Sequence, residues 1–288
     1  MEPFSKKPRA PRKKFRTVSF GWILPNMLTI GGLVSGLTAF RFALDQNWSL
    51  VVAMVSLAAI FDALDGRMAR LLKTTSVFGA ELDSLSDAIV FGVIPALCLY
   101  LWALEDSGNI AWGTALFYVV CIILRLARFN SELPDRPDYA KSFFTGIPAP
   151  AAGFLALLPI VALQVIDAPI LREPAVVSAV LVLIGVGAVS TMPTFSGKTL
   201  SVSSGAVLPF LAMVALFGSL MAIKPWTAYL VLAGLYIVSF PISVWFFYHR
   251  RRRHLKMSAK SDKVATKDVE RRGLCDIHKR KSTNTMAK

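Results

Sequence analysis

The feature that most constrains this chain is a run of long apolar stretches set between two basic tails. From about residue 21 to residue 248 the sequence is a succession of hydrophobic segments broken by short polar links. An α-helix needs about 20 apolar residues to cross a hydrocarbon core of about 30 Å, and most of these stretches have that length. Charged residues make up only 17% of the 288, too few for the surface of a soluble domain of this size. The pattern predicts an all-α, polytopic transmembrane bundle of about eight spans. They fall near 21–43, 48–70, 83–104, 110–128, 146–166, 174–193, 206–223 and 226–248. The organisation that follows is a basic N-tail over 1–20, a membrane domain over 21–248, and a polar, basic C-tail over 249–288 with too little apolar content to fold alone.

Charge placement gives the expected sidedness. With an even number of spans both tails lie on one side, together with the links after spans two, four and six. That side holds 29 of the 32 Lys/Arg, leaving Arg41, Arg172 and Lys224 on the other. The positive-inside rule makes the rich side cytoplasmic. The net charge of +14 therefore speaks of topology and anionic membrane lipid, and without an accompanying aromatic-basic module it predicts no nucleic-acid partner. The first apolar run carries Pro25 and Asn26 and follows a long basic segment, so it reads as a retained span and not a cleaved leader. Cys98, Cys121 and Cys275 form no CxxC pair. Trp22, Trp48, Trp102, Trp112 and Trp226 fall near predicted membrane interfaces, as belt anchors do. The Phe/Leu/Val-rich faces of spans six to eight read as lipid-facing or dimer surface.

Span two breaks the apolar rule. Its clearly apolar part, Leu50 to Phe61, is too short to cross alone, so the helix must continue through Asp62 and Asp65 to Arg70. Carboxylates at that depth must face protein or water, and in a membrane they are functional by default. Asp62 and Asp65 are three apart and share a helix face; Asp83 and Asp87, at the start of span three, are four apart and share another. Two antiparallel helices with a short link can bring all four together at the cytoplasmic end. Four clustered carboxylates repel unless a cation neutralises them, and an all-oxygen donor set favours Mg²⁺, Mn²⁺ or Ca²⁺. The three histidines, 249, 254 and 278, all lie in the tail, which argues against zinc. Divalent ions at a membrane surface suit a diphosphate substrate. Gly66 and Ala69 would let a planar ligand approach the backbone, Arg70 is placed to pair with phosphate, and Gly79 would ease the turn into span three.

At these residues the chain resembles the CDP-alcohol phosphotransferase family, whose signature D-x2-D-G-x2-A-R-x8-G-x3-D-x3-D is met by Asp62, Asp65, Gly66, Ala69, Arg70, Gly79, Asp83 and Asp87. The resemblance implies a reaction in which an alcohol attacks the β-phosphorus of a CDP-activated lipid and CMP leaves. It implies that the four aspartates share two divalent ions, Mg²⁺ or Mn²⁺, that Asp87 is also the base, and that Gly66, Ala69 and Arg70 contact the CDP part. Three further stretches are similar to the membrane-integral serine-using branch of that family: Pro25–Thr29, Leu124–Asn130 and Phe144–Pro150. The likeness covers roughly residues 20 to 155.

That branch implies CDP-diacylglycerol and L-serine as substrates, and the family implies a homodimer among membrane lipids. Arg125 and Arg128, at the end of span four, could meet the carboxylate of serine, and Asn130 its ammonium; alternatively the arginines set topology or hold lipid phosphate. Asn26 and Thr29 either touch the nucleotide or pack against span two. Pro148 and Pro150 read as helix-start residues. The rival acceptors are glycerol-3-phosphate, inositol phosphate and choline. A cation-coupled transporter is the alternative from another class, disfavoured by a cluster at the membrane mouth and by the lack of a repeat in spans five to eight.

Overall fold

The computed structural model describes residues 20–132, 143–191, 193–195, 215–216 and 219–240. Both basic tails and most of the expected seventh span lie outside them. The described chain is helical apart from two three-residue strands. The helices are α1 (Phe20–Leu44), α2 (Trp48–Leu71), α3 (Val77–Asp87), α4 (Ile94–Leu99), α5 (Gly108–Glu132), α6 (Ala149–Ala156), α7 (Leu158–Ile166), α8 (Pro174–Val189) and α9 (Pro225–Phe240).

Four helical segments are long and apolar enough to cross a membrane: Ile23–Leu44, Trp48–Leu71, Val77–Ser131 and Ala149–Ile166. The third runs for 55 residues and contains two of the expected spans. It turns at Glu105–Ser107 and Gly108, where φ is +74°, a conformation that glycine adopts without a Cβ penalty. The chain then folds back, so that α5 packs on the segment that follows Asp87. Two further apolar helices, Pro174–Val189 and Pro225–Phe240, are shorter.

Proline shapes this bundle, and the carbonyls it frees are recaptured by side chains. A proline removes the N–H that would bond the carbonyl four residues earlier. Pro25 sits inside α1, and the carbonyl of Gly21 accepts a hydrogen bond from Thr74 Oγ1 at 3.0 Å. Pro95 begins α4, and the carbonyl of Phe91 accepts from the fully buried Tyr118 Oη at 2.7 Å. Pro159 marks a local break between α6 and α7 at Leu157, inside the single span that was expected. Near that break the Phe154 carbonyl accepts from Tyr229 Oη of α9 at 2.6 Å. In an apolar surrounding an unmet carbonyl is costly, so the two tyrosine bonds each fix one helix against another and the Thr74 bond ties the α2–α3 link to α1. Pro148 and Pro150 do start a helix: Pro148 caps α6 and Pro150 lies in its first turn.

Three sequence expectations change. The end of the sixth expected span is not helical: Pro193–Phe195 pairs antiparallel with Phe143–Thr145. Trp102 is 3% exposed and so is no interfacial anchor; the Arg172 guanidinium lies 5.9 Å from its ring and Arg172 Nε donates to its carbonyl. The eighth expected span is more than a lipid face, since α9 buries Ala228, Tyr229 and Ala233 in the bundle and stacks Tyr229 on Phe154 at 3.5 Å.

Candidate active site

The site forms where α1, α2 and α3 meet. The link between α2 and α3 is only Leu72–Ser76. Lys73, at φ +52°, ends α2, and the Ser76 hydroxyl caps α3 by accepting from the Gly79 N–H at 3.0 Å. This tight connection sets the ends of α2 and α3 side by side. Gly79 therefore lies inside the first turn of α3, and does not ease the turn as the sequence suggested. Its role is close approach: a Cβ there would stand 3.1 Å from Asn26 Oδ1 of α1.

Asp62, Asp83 and Asp87 each present a carboxylate oxygen within 4.8 Å of the others. Asp65 lines the same cleft but is held differently. It is 4% exposed, and its Oδ2 accepts the Thr29 hydroxyl at 2.6 Å. Thr29, left open between nucleotide contact and packing, thus touches a cleft carboxylate. The cleft is completed by Gly32, Ala58 and Ser86 and, beyond Asp87, by Val90 and Phe91.

Immediately after Asp87 the helix widens into a π-turn segment, Ala88–Val93. Such turns are rare and recur at functional sites. Its fit depends on two glycines on neighbouring helices: a Cβ on Gly36 of α1 would come within 2.8 Å of Val90, and one on Gly153 of α6 within 3.0 Å of Phe91. The 3.6-residue pattern of the sequence carried no signal for this widening.

The remaining candidates divide by position. Gly66 is exposed, and a Cβ added there would meet nothing within 4 Å, so packing does not require a glycine at this point. Arg70 folds back along α2, its Nε donating to the Gly66 carbonyl at 2.8 Å, which aligns the guanidinium with that open surface. Ala69 is half-buried on the same helix.

Arg125 is 6% exposed, its guanidinium 6.0 Å from the Phe129 ring, and it interacts electrostatically with both Asp62 and Asp87. Arg128 points elsewhere. Its Nη1 and Nη2 donate to the carbonyls of Val189 and Ser190 at 2.8 and 3.1 Å, capping the end of α8. These two bonds brace the end of α5 against the end of α8. Asn130 Nδ2 donates to Ser84 Oγ at 2.9 Å and ties the end of α5 to α3 beside Asp83. The side chains of Phe144 and Thr145 lie outside the described set.

Among the described residues the cleft lining has no His or Cys, and its carboxylate oxygens make a hard donor set that suits a divalent cation. Among the described residues, Arg125 is the buried guanidinium beside this group.

A family model described as CDP-alcohol phosphatidyltransferase matches residues 22–190. The chain is also similar to a Mycobacterium leprae protein named CDP-diacylglycerol–serine O-phosphatidyltransferase, at 36% identity over 77% of this chain and 74% of that protein. A Helicobacter pylori protein of the same name is 32% identical over 78% of this chain and 92% of its own length. A Mycobacterium tuberculosis relative, again with that name, reaches 45% identity over 49% of this chain and 50% of its own.

Proposed function

Since the chain belongs to the CDP-alcohol phosphatidyltransferase family, we propose that it is a membrane enzyme that transfers the phosphatidyl group of CDP-diacylglycerol to the hydroxyl of L-serine, releasing CMP. The observation that carries this reading is the carboxylate group of Asp62, Asp83 and Asp87 with the buried Arg125 beside it. The shared name of the relatives supports serine as the acceptor.

Asp62, Asp65, Asp83 and Asp87 would hold divalent ions, Mg²⁺ or Mn²⁺, which when bound offset the charge of the diphosphate and of the departing CMP. The chain's own groups do the rest. Asp87 takes the proton of the serine hydroxyl, as a general base within reach of the nucleophile. The hydroxyl oxygen bonds to the β-phosphorus, and the bond from that phosphorus to the bridging oxygen breaks, its electron pair leaving on CMP. Arg70 pairs with a phosphate oxygen, and the open surface at Gly66 and Ala69 receives the nucleotide. Arg125 meets the serine carboxylate. Its single charge suits a zwitterionic amino acid better than a dianionic phosphorylated alcohol, which would call for a denser basic pocket. Thr29 supports Asp65 from α1, and Asn26, on the same helix, stands beside Gly79 of α3, where it contacts the nucleotide.

The same reading puts the site at the cytoplasmic face of a multi-pass protein with both tails on that side, where a lipid-borne diphosphate and a water-soluble acceptor can meet. A homodimer through membrane helices is part of the proposal.

The test is an acceptor panel on purified full-length protein, with CDP-diacylglycerol and Mn²⁺ or Mg²⁺ and with CMP as the readout. Serine should support turnover that a chelator abolishes. Turnover with glycerol-3-phosphate, inositol, inositol phosphate or choline but not serine would remove the serine reading and leave the family reaction. No CMP with any acceptor would remove both.

A further inference from the structure

The backbone that leads away from Asp87 gets unusual support. Over Ala88–Val93 it is π-helical, and the Ile94 N–H bonds back five residues to the Ile89 carbonyl. Pro95 follows at once and brings no N–H, so the regular helical ladder is interrupted twice in succession. Phe91, inside this segment, lines the cleft together with Asp87. A part of the cleft wall is therefore built on backbone that its own helix holds only loosely.

The missing support comes from α5. Tyr118 is fully buried, and its hydroxyl donates to the Phe91 carbonyl at 2.7 Å. Four residues on, Ile122 closes against Gly92, where a Cβ would stand 3.3 Å from it. Three residues further comes Arg125. Tyr118, Ile122 and Arg125 are all buried, and spacings of four and three put them on one helix face. That face grips the widened turn at two points and carries the guanidinium at a third. A phenylalanine ring would fill the space of Tyr118. The hydroxyl adds a bond of set length and direction to one backbone atom of the cleft wall.

We infer that Tyr118 is a positioning residue for the phosphatidyl transfer, its hydroxyl fixing, through the Phe91 carbonyl, the widened turn that sets Asp87 in the cleft. Tyr118 itself is not among the residues that line the cleft. It acts on where the base stands when the acceptor attacks, and a misplacement of about 1 Å can cost about 100-fold in rate. The same bond keeps that turn in register with the α5 face that carries Arg125. The inference rests on the proposed transfer, in which Asp87 is the base, and adds to it a residue from another helix.

The experiment compares Tyr118→Phe with Tyr229→Phe in the full-length enzyme in detergent micelles. Each variant keeps the ring and takes one tyrosine donor from a backbone carbonyl, that of Phe91 in the first and that of Phe154, bonded at 2.6 Å, in the second. Of the two carbonyls, the first belongs to a residue of the cleft wall and the second does not. CMP release is followed with CDP-diacylglycerol, Mn²⁺ and serine. Tyr118→Phe should lower kcat by about 10–100-fold and leave the KM of both substrates within about twofold. Tyr229→Phe should lose as much melting temperature as Tyr118→Phe but keep kcat within about twofold. A Tyr118→Phe enzyme with the kcat of wild type overturns the inference. So do equal losses of kcat in the two variants, or a Tyr118→Phe chain that cannot be purified folded, since either marks a packing role. Absence of serine-dependent CMP release in the wild type is a separate outcome, visible before a variant is made; it removes the proposed reaction, and this inference with it.

Discussion

Thr29 of α1 donates its hydroxyl to Asp65 of α2 at 2.6 Å, and this one bond joins the first two helices at the depth of the cleft. Asp65 is nearly inaccessible, so its Oδ2 has little water to replace a lost donor. Removing one partner of a buried hydrogen bond costs the desolvation of the other, about 1–3 kcal/mol. Thr29→Val keeps the shape and removes the donor. It should lower the melting temperature and raise the Mn²⁺ concentration needed for half-maximal CMP release, while Thr29→Ser should restore both. Equal metal dependence in wild type and Thr29→Val would show that Asp65 does not need this support.

Asp87 belongs to the carboxylate group, directly precedes the π-helical segment and is assigned the proton transfer. Asp87→Asn keeps the size and removes the base. CMP release should fall by about 10²–10⁴-fold, the usual contribution of a positioned general base. CDP-diacylglycerol should still protect the variant against thermal unfolding. Turnover within about tenfold of wild type would assign the proton transfer to another group.

Gly66 offers a test in which stability and activity move in opposite directions. A methyl group there meets no protein atom. Alanine also favours the helix by about 0.5–1 kcal/mol over glycine. Gly66→Ala should therefore melt at the same temperature or higher, yet show a raised KM for CDP-diacylglycerol because the nucleotide needs that space. Unchanged kinetics would mean that the nucleotide lies elsewhere.

Arg128 and Arg125 look alike in sequence but should separate on substitution. Arg128→Ala removes two donors from the end of α8 and should cost stability, with a drop in melting temperature of a few degrees for about 1–3 kcal/mol. Its serine KM should change little. Arg125→Lys should instead raise the serine KM, since an ammonium cannot reproduce the guanidinium fork. A reversed pattern would exchange the two roles.

The parts of this site legible in the sequence were those fixed by helical period. Asp62, Asp65, Asp83 and Asp87 stand at i, i+3 and i, i+4, and such spacings decide which side chains share a face before any fold is known. Less visible was the difference among them. That Asp65 turns to Thr29 while the other three converge depends on a contact across 36 residues. The widening at Ala88–Val93 was invisible for the same reason, since it is shaped by Gly36 and Gly153 on other helices. Arg125 and Arg128 are three apart and chemically identical, and only the location of the α8 terminus tells them apart.

The described residues that line the cleft all fall between Thr29 and Phe91. A ribosome has therefore made every carboxylate of the site before it reaches Arg125. During synthesis the acidic half must enter the membrane and hold its charge without the later guanidinium, relying on α1 and on ions from the surrounding water. The half that would choose the acceptor is added afterwards, on helices that dock against a finished site. Acceptor preference could then change in descendants of this chain through its later helices, while the half that handles the activated lipid stays as it is.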